Sequence, residues 1–224
     1  MVSVSEQVYP PKEDSFLLQK AIHSENLIGK KCLDMGTGSG IQAEAMFESG
    51  SENVISADIN PKVIESLRKR KLQVVGRSCP KCERPVLFEY RTRKWKKIES
   101  DLFSGLSGEK FDFIAFNPPY VPTDEIKWVD LDGGKKGRET IDRFITQFPK
   151  FLTDGGIVLL LVSSLNDKDE IISVLKSQGL YSEEIFDKKL FFETLYVLRI
   201  TQGVGNSKYS SKLLLSKETD IVES

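Results

Sequence analysis

Short apolar runs alternate with amphipathic stretches along most of the chain from residue 31 onward. Residues 31–35 (KCLDM) read as a first strand that stops at a glycine-rich turn, and 41–49 then carry helical spacing. Residues 53–57 (NVISA) read as a second strand, after which Asn60 and Pro61 stand as N-cap and first residue of a helix over 62–71. Residues 111–116 (FDFIAF) are strand-like and 139–152 form an amphipathic helix. A buried strand over 157–163, a helix over 167–178 closed by Gly179, and a last strand over 191–200 complete the pattern. Strands alternating with helices predict an α/β domain, its mostly parallel sheet covered on both faces.

Three segments fall outside this rhythm. Residues 1–30 precede the first strand and include one helix, about 15–23, which takes in the lone His23. Residues 76–99 interrupt the alternation with Cys79-Pro80-Lys81-Cys82 and an expected hairpin, its arms at 86–90 and 94–98 around a basic turn. Residues 203–224 form a Gly/Ser/Lys-rich tail, expected to be mobile. The domain proper is therefore expected over 31–202, with the 76–99 hairpin inserted and residues 1–30 covering the site.

Composition narrows the class. With 39% apolar and 29% charged residues in 224, the chain can build a core without disulfide staples and is not a disordered one. Lys plus Arg (32) nearly cancels Asp plus Glu (33), which excludes a globally basic nucleic-acid coat. One local cluster remains: Arg91, Arg93, Lys94, Lys96 and Lys97, interleaved with Tyr90 and Trp95. It is either the solvated face of the hairpin or a contact for RNA or acidic protein, not the primary partner site. The longest aliphatic run, 157–162, is far short of the roughly 20 residues of a membrane helix, and charges at Glu6, Lys12, Glu13 and Asp14 do not suit a secretion signal. Three cysteines suit a reducing compartment, so the chain reads as cytoplasmic. Cys79 and Cys82 supply half of a tetrahedral zinc site, and only Cys32 and His23 remain to complete it. No complete intrachain metal site is expected; the pair is a site shared with a partner, a redox couple or two ordinary thiols.

The first strand runs into Asp34-Met35-Gly36-Thr37-Gly38-Ser39-Gly40. Glycines here let the backbone pass close to a ligand, and the next helix offers unpaired N–H groups. A dinucleotide fingerprint wants a sixth-position glycine, where this chain has Ile41. The second strand ends at Asp58, placed to accept ribose hydroxyls, and Asp101 before Leu102 can accept from an adenine amine. A rim of Asp34, Asp58 and Asp101 would repel a pyrophosphate. It suits S-adenosylmethionine, which carries ribose, adenine and a cationic sulfonium.

Asn117-Pro118-Pro119-Tyr120 follows the apolar run FDFIAF directly. Two prolines stop regular structure and stiffen the turn. Such a turn holds the Asn117 carboxamide and the Pro118 carbonyl toward one spot, matching the two N–H bonds of a planar NH₂ group, with Tyr120 to stack on its plane. This NPPY pattern points to methyl transfer onto nitrogen, the acceptor being an amide or a nucleobase amine.

The two motifs together resemble those of HemK-type protein-(glutamine-N5) methyltransferases. The likeness extends to Tyr9, Pro11, Glu13, Asp14, Ser15, Leu17 and Leu18 ahead of the first strand. It continues through Gly133, Gly134, Gly137, Arg138, Glu139, Asp142, Arg143 and Phe144 after the acceptor turn. These features are similar to the branch acting on archaeal and eukaryotic class I release factors. The resemblance implies a class I, Rossmann-like fold with a seven-stranded, mostly parallel sheet. It also implies N5-methylation of the glutamine in the factor's Gly-Gly-Gln motif. Gly36, Thr37, Gly38, Gly40, Asp58, Asp101, Leu102 and Asn117 would contact the cofactor. Asn117, Pro118, Pro119 and Tyr120 would form the catalytic turn, and Tyr9, Pro11 and Glu13 would join Asn117 and Tyr120 on the substrate. It further implies a small zinc-binding activator on an edge strand, which the 76–99 hairpin would replace or reshape. The alternative acceptor is the N6 amine of adenine in DNA or RNA.

Overall fold

The computed structural model describes residues 10–70, 93–123, 133–134 and 136–203. Tyr9, Tyr90, Arg91, the Cys79/Cys82 pair, the 86–90 arm and the tail beyond 203 lie outside the described residues. The elements follow in the order α1 (Glu13–His23), β1 (Lys31–Met35), α2 (Ile41–Glu48), β2 (Asn53–Asp58), α3 (Pro61–Lys69), β3 (Lys94–Glu99) and β4 (Phe111–Phe116). After these come α4 (Glu139–Gln147), β5 (Leu152–Ser163), α5 (Lys168–Ser177), β6 (Leu180–Lys189) and β7 (Thr194–Gln202). The described strands form one seven-stranded sheet in the order β3-β2-β1-β4-β5-β7-β6. β1 to β5 are mutually parallel, and β7 runs antiparallel between β5 and β6.

Because both faces are covered, the central strands are apolar on both sides and the two-residue alternation sorts each strand between two cores. Leu33, Ile114, Leu160 and Leu198 face a cluster with Phe144, Phe148 and Ile171 of the α4 and α5 side. Cys32, Phe113, Leu159 and Val197 face the opposite cluster, with Leu18 and Ile22 of α1 and Phe47 of α2. Leu18 and Ile22 are completely buried, so the N-terminal helix is part of the core. Burial of that kind contributes about 1.5–3 kcal/mol per side chain. Asn60 caps α3 as expected, accepting the Lys62 N–H at 3.0 Å, with Pro61 in the first turn.

The structure departs from the sequence pattern in four places. Residues 94–98 were expected as an arm of an inserted hairpin, but Lys94–Glu99 is the third parallel strand, paired with β2 from Asn53↔Lys94 to Asp58↔Glu99. The basic cluster is divided accordingly. Trp95 turns inward, its Nε1 donating to Ser56 Oγ at 2.9 Å, and Arg93 donates to the Phe47 carbonyl at 3.1 Å. Lys94 and Lys96 face outward. The expected helix over 139–152 ends at Gln147, where Pro149 brings in a short 3₁₀ turn, Phe148–Lys150, and β5 starts at Leu152. The seven-stranded sheet implied by the resemblance is present, but the sequence pattern assigned no strand to the residues of β6. The last strand begins at Thr194 rather than 191, leaving Phe191 and Phe192 in an exposed turn, 91% and 85% accessible.

Candidate active site

The loops after β1 to β5 converge at one edge of the sheet, where open α/β folds bind ligands. The glycine-rich loop after β1 is tied to β2 by the Thr37 N–H, which donates to the Ala57 carbonyl at 3.0 Å. Gly36 lies at φ +60, where a side chain is strained, and a Cβ there would press on the Phe116 ring at 3.1 Å, so the loop packs closely against the end of β4. Gly36, Thr37 and Gly38 line the cavity; Gly40 stands behind them as the N-cap of α2.

Asp34 was expected on the cavity rim, but it is buried beneath the loop, with 1% exposure. Its Oδ2 accepts from the Thr37 hydroxyl and from the Ala43 N–H at 3.1 Å. Burial pushes its pKa up to about 7 against these two hydrogen bonds. Asp34 therefore braces the loop from below. The acids that reach the cavity are Asp14, Asp58 and Asp101. Asp58 ends β2 with both oxygens held by backbone donors, Gly38 N–H at 3.0 Å and Asn60 N–H at 2.9 Å. Asp101 follows β3 and pairs with Arg143 of α4 at 2.6 Å. Beside it Leu102 adopts φ +46, a left-handed conformation that costs a residue other than glycine energy.

β4 delivers Asn117, Pro118, Pro119 and Tyr120 to the opposite wall. The Asn117 Nδ2 donates to Asp14 Oδ2 at 3.1 Å, while its Oδ1 is buried with no partner among the described residues. Gln42 Oε1, on α2 behind the glycine-rich loop, is a second such oxygen on a lining residue. The turn is gripped from behind by Asn166, fully buried, whose Nδ2 donates to the Tyr120 carbonyl at 2.6 Å and the Gly137 carbonyl at 3.0 Å. Two backbone bonds add to this, Gly133 N–H to Val121 O at 3.1 Å and Thr123 N–H to Gly134 O at 2.9 Å. Gly137, at φ +65, is pressed so closely on the turn that a Cβ would lie 2.2 Å from the Tyr120 carbonyl oxygen. The glycine-rich segment after the acceptor turn thus clamps it.

The structure brings Gly36, Thr37, Gly38, Asp58, Asp101, Leu102 and residues 117–120 to one cavity. Pro11 and Glu13 stand beside it at the start of α1, outside the lining, which α1 supplies through Asp14 and Ser15. Asp14, Gln42, Arg143 and Asn166 are the contributors that sequence reasoning did not assign to the site. Asp14 and Arg143 lie in the two segments that carry the family likeness, which was the available signal for them.

The residues present fit S-adenosylmethionine: apolar walls at Met35, Leu102 and Phe116, carboxylates at Asp58 and Asp101, and two lining residues, Gln42 and Asn117, that each keep a buried side-chain oxygen without a partner among the described residues. This sheet order, with the ligand loop after β1 and the rigid acceptor turn after β4, defines a class I S-adenosylmethionine-dependent methyltransferase. No family model matches the chain. A Methanocaldococcus jannaschii protein named as a protein N5-glutamine methyltransferase is 37% identical over 199 residues, 86% of this chain and 90% of that protein. Human methyltransferase HEMK2 is 31% identical over 217 residues, 88% of this chain and 90% of its own. The solved E. cuniculi Mtq2–Trm112 complex, responsible for methylation of the eRF1 translation termination factor, contains a chain similar at TM-score 0.65 and 28% identity. That match covers 87% of this chain and 98% of the other. The chain belongs to the protein N5-glutamine methyltransferase family. Among the described residues no helix is long and apolar enough to cross a membrane.

Proposed function

We propose that this chain methylates the side-chain amide of the glutamine in the Gly-Gly-Gln motif of a class I release factor, giving N5-methylglutamine. The observation that carries the reading is the buried, unpartnered Asn117 Oδ1 on a turn clamped from behind and facing the glycine-rich loop. Asp58 would hold the ribose hydroxyls, Asp101 and Leu102 the adenine, and Gln42 Oε1 the ammonium group. S-adenosylmethionine, when bound, supplies an electrophilic methyl group.

The chain's own residues do the rest. An amide nitrogen is a poor nucleophile because its lone pair is delocalised into the carbonyl. Asn117 Oδ1 and the Pro118 carbonyl accept its two hydrogens, which favours the more pyramidal nitrogen of the transition state. Holding that nitrogen in line removes much of the entropic barrier, a source of up to about 7–11 kcal/mol. The rigidity of Pro118 and Pro119, enforced by Asn166, keeps the alignment; the proton leaves to solvent after transfer. Tyr120 stacks on the amide plane, and Pro11 and Glu13, at the start of α1, meet the substrate loop.

Similarity to an Mtq2 chain solved in complex with Trm112 supports a small activator subunit, and we place its dock along β3, one of the two edge strands of the described sheet. The CxxC-bearing segment before β3 either stands in for that subunit or shapes its dock. The site of action is the cytoplasm, where release factors work.

Intact-mass analysis of purified release factor, incubated with the enzyme and S-adenosylmethionine, tests the reading. One added methylene mass on the Gly-Gly-Gln glutamine, absent from a Gln→Ala control, is the expected result. Transfer to nucleic acid instead, in a parallel radioactive-methyl assay, would overturn it. Running the assay with and without a co-purified partner decides the activator question.

A further inference from the structure

Asp14 and Asn117 lie 103 residues apart in the chain, yet their side chains meet at 3.1 Å at the cavity wall. Asp14 is 4% exposed and sits in the first turn of α1, a helix fixed by buried Leu17, Leu18, Ala21 and Ile22. The neighbouring Ser15 carbonyl accepts from Gln42 Nε2 at 2.9 Å, locking this end of α1 onto α2. One Asp14 oxygen, Oδ1, accepts from the Ser15 N–H at 2.6 Å and the Ser15 hydroxyl at 3.2 Å. The other, Oδ2, takes the Asn117 NH₂.

A carboxamide has two nearly isosteric orientations that differ by exchanging its oxygen and its NH₂. For Asn117 they have opposite chemical consequences. With the oxygen toward the cavity it accepts from an amide N–H; with the NH₂ there, it opposes the acceptor donor to donor. A carboxylate offers acceptors only, so Asp14 selects the first orientation. The partnerless Asn117 Oδ1 is the other half of that selection.

We propose that Asp14 is a positioning residue for methyl transfer: it fixes the Asn117 carboxamide with Oδ1 aimed at the acceptor nitrogen. The inference rests on the proposed glutamine-methylating reading for its kinetic form, but the side-chain orientation itself is independent of the substrate.

The isosteric Asp14→Asn variant tests it in the full chain. Asparagine at 14 has one acceptor, which Ser15 retains, so its NH₂ turns toward Asn117 and inverts that amide. Single-turnover methylation of release factor should slow about tenfold to a hundredfold, with cofactor affinity changed less than about twofold. In an Asn117→Ala background the same substitution should cost nothing more, because the group it orients is gone. A rate unchanged in Asp14→Asn, a loss seen mainly as weaker cofactor binding, or losses that multiply in the double variant would each overturn the proposal. If the wild-type chain transfers nothing to release factor, the functional reading fails and the orientation is read directly. The Asn117 side-chain amide resonances should be hydrogen-bonded and exchange-protected in the wild type and lose both features in Asp14→Asn. Identical resonances in the two proteins would overturn the inference on its own terms.

Discussion

The Asn166 side-chain amide holds the Tyr120 carbonyl from 2.6 Å while its own oxygen accepts the Ser163 N–H at 2.9 Å. A residue that follows β5 thereby sets the backbone of the turn that follows β4. Replacing it with alanine removes the donor shared by two carbonyls, those of Tyr120 and Gly137. The expected cost is about 1–3 kcal/mol of stability, together with a fall in kcat as the turn loosens. Denaturation midpoints and single-turnover rates measure the two effects. Asn166→Asp should be worse than alanine, because it sets an oxygen against two carbonyl oxygens.

Gly137→Ala should destabilise by roughly 1–3 kcal/mol, since the new methyl group would meet the Tyr120 carbonyl at φ +65. Thermal unfolding checks this. A stability equal to wild type would mean that the clamp yields freely and does not define the turn.

Asn117→Ala should lower methyl transfer by at least about a hundredfold, as loss of one preorganised polar contact to the reacting group typically does. Calorimetric titration should find cofactor binding largely intact. Equal loss of both would assign Asn117 to cofactor binding alone.

Asp34 gives a pH dependence with a definite sign. Its pKa rises on folding from 3.8 to about 7, so between those values the folded state holds more protons than the unfolded one. Stability must therefore fall as pH rises through that window. Asp34→Asn mimics the protonated carboxyl, with one oxygen to accept from Thr37 and Ala43, and should flatten this part of the profile. Urea midpoints at about pH 5 and about pH 8 for both proteins measure the difference.

Arg143 and Asp101 form a half-exposed pair, 48% and 45% accessible, of the kind worth under about 1 kcal/mol to folding. Arg143→Met should accordingly leave the melting temperature nearly unchanged. It should shift cofactor affinity severalfold, because the pair sits on the cavity wall beside Leu102. A large stability loss with unaltered affinity would contradict that separation.

How much of this was legible in the sequence follows from where each residue finds its partners. β1, β2, β4 and β5 announce themselves because both faces are buried and each carries a short apolar run. β6 does not: LYSEEIFDKK is rich in charge, buries only Leu180 and Ile185, and shifts register between Glu184 and Phe186, which breaks the two-residue period. β3 was visible as a strand but assigned to a hairpin, because pairing partners are a tertiary choice that alternation alone does not specify. In the site, the glycine-rich loop and the Asn-Pro-Pro-Tyr turn were readable because their chemistry is local. Asp14, Arg143 and Asn166 were not, since each acts through a contact with a distant segment. Asp34 misled for the reverse reason: an acid at a strand end can face the ligand or brace the loop, and only burial distinguishes them.

The acceptor turn is grasped from two directions, by Asp14 ahead of the first strand and by Asn166 beyond the fifth. The Asn-Pro-Pro-Tyr turn therefore cannot take its final shape until the chain has been translated through residue 166. A polypeptide ended before that residue would carry the glycine-rich loop while its acceptor turn lacked one of these two holds.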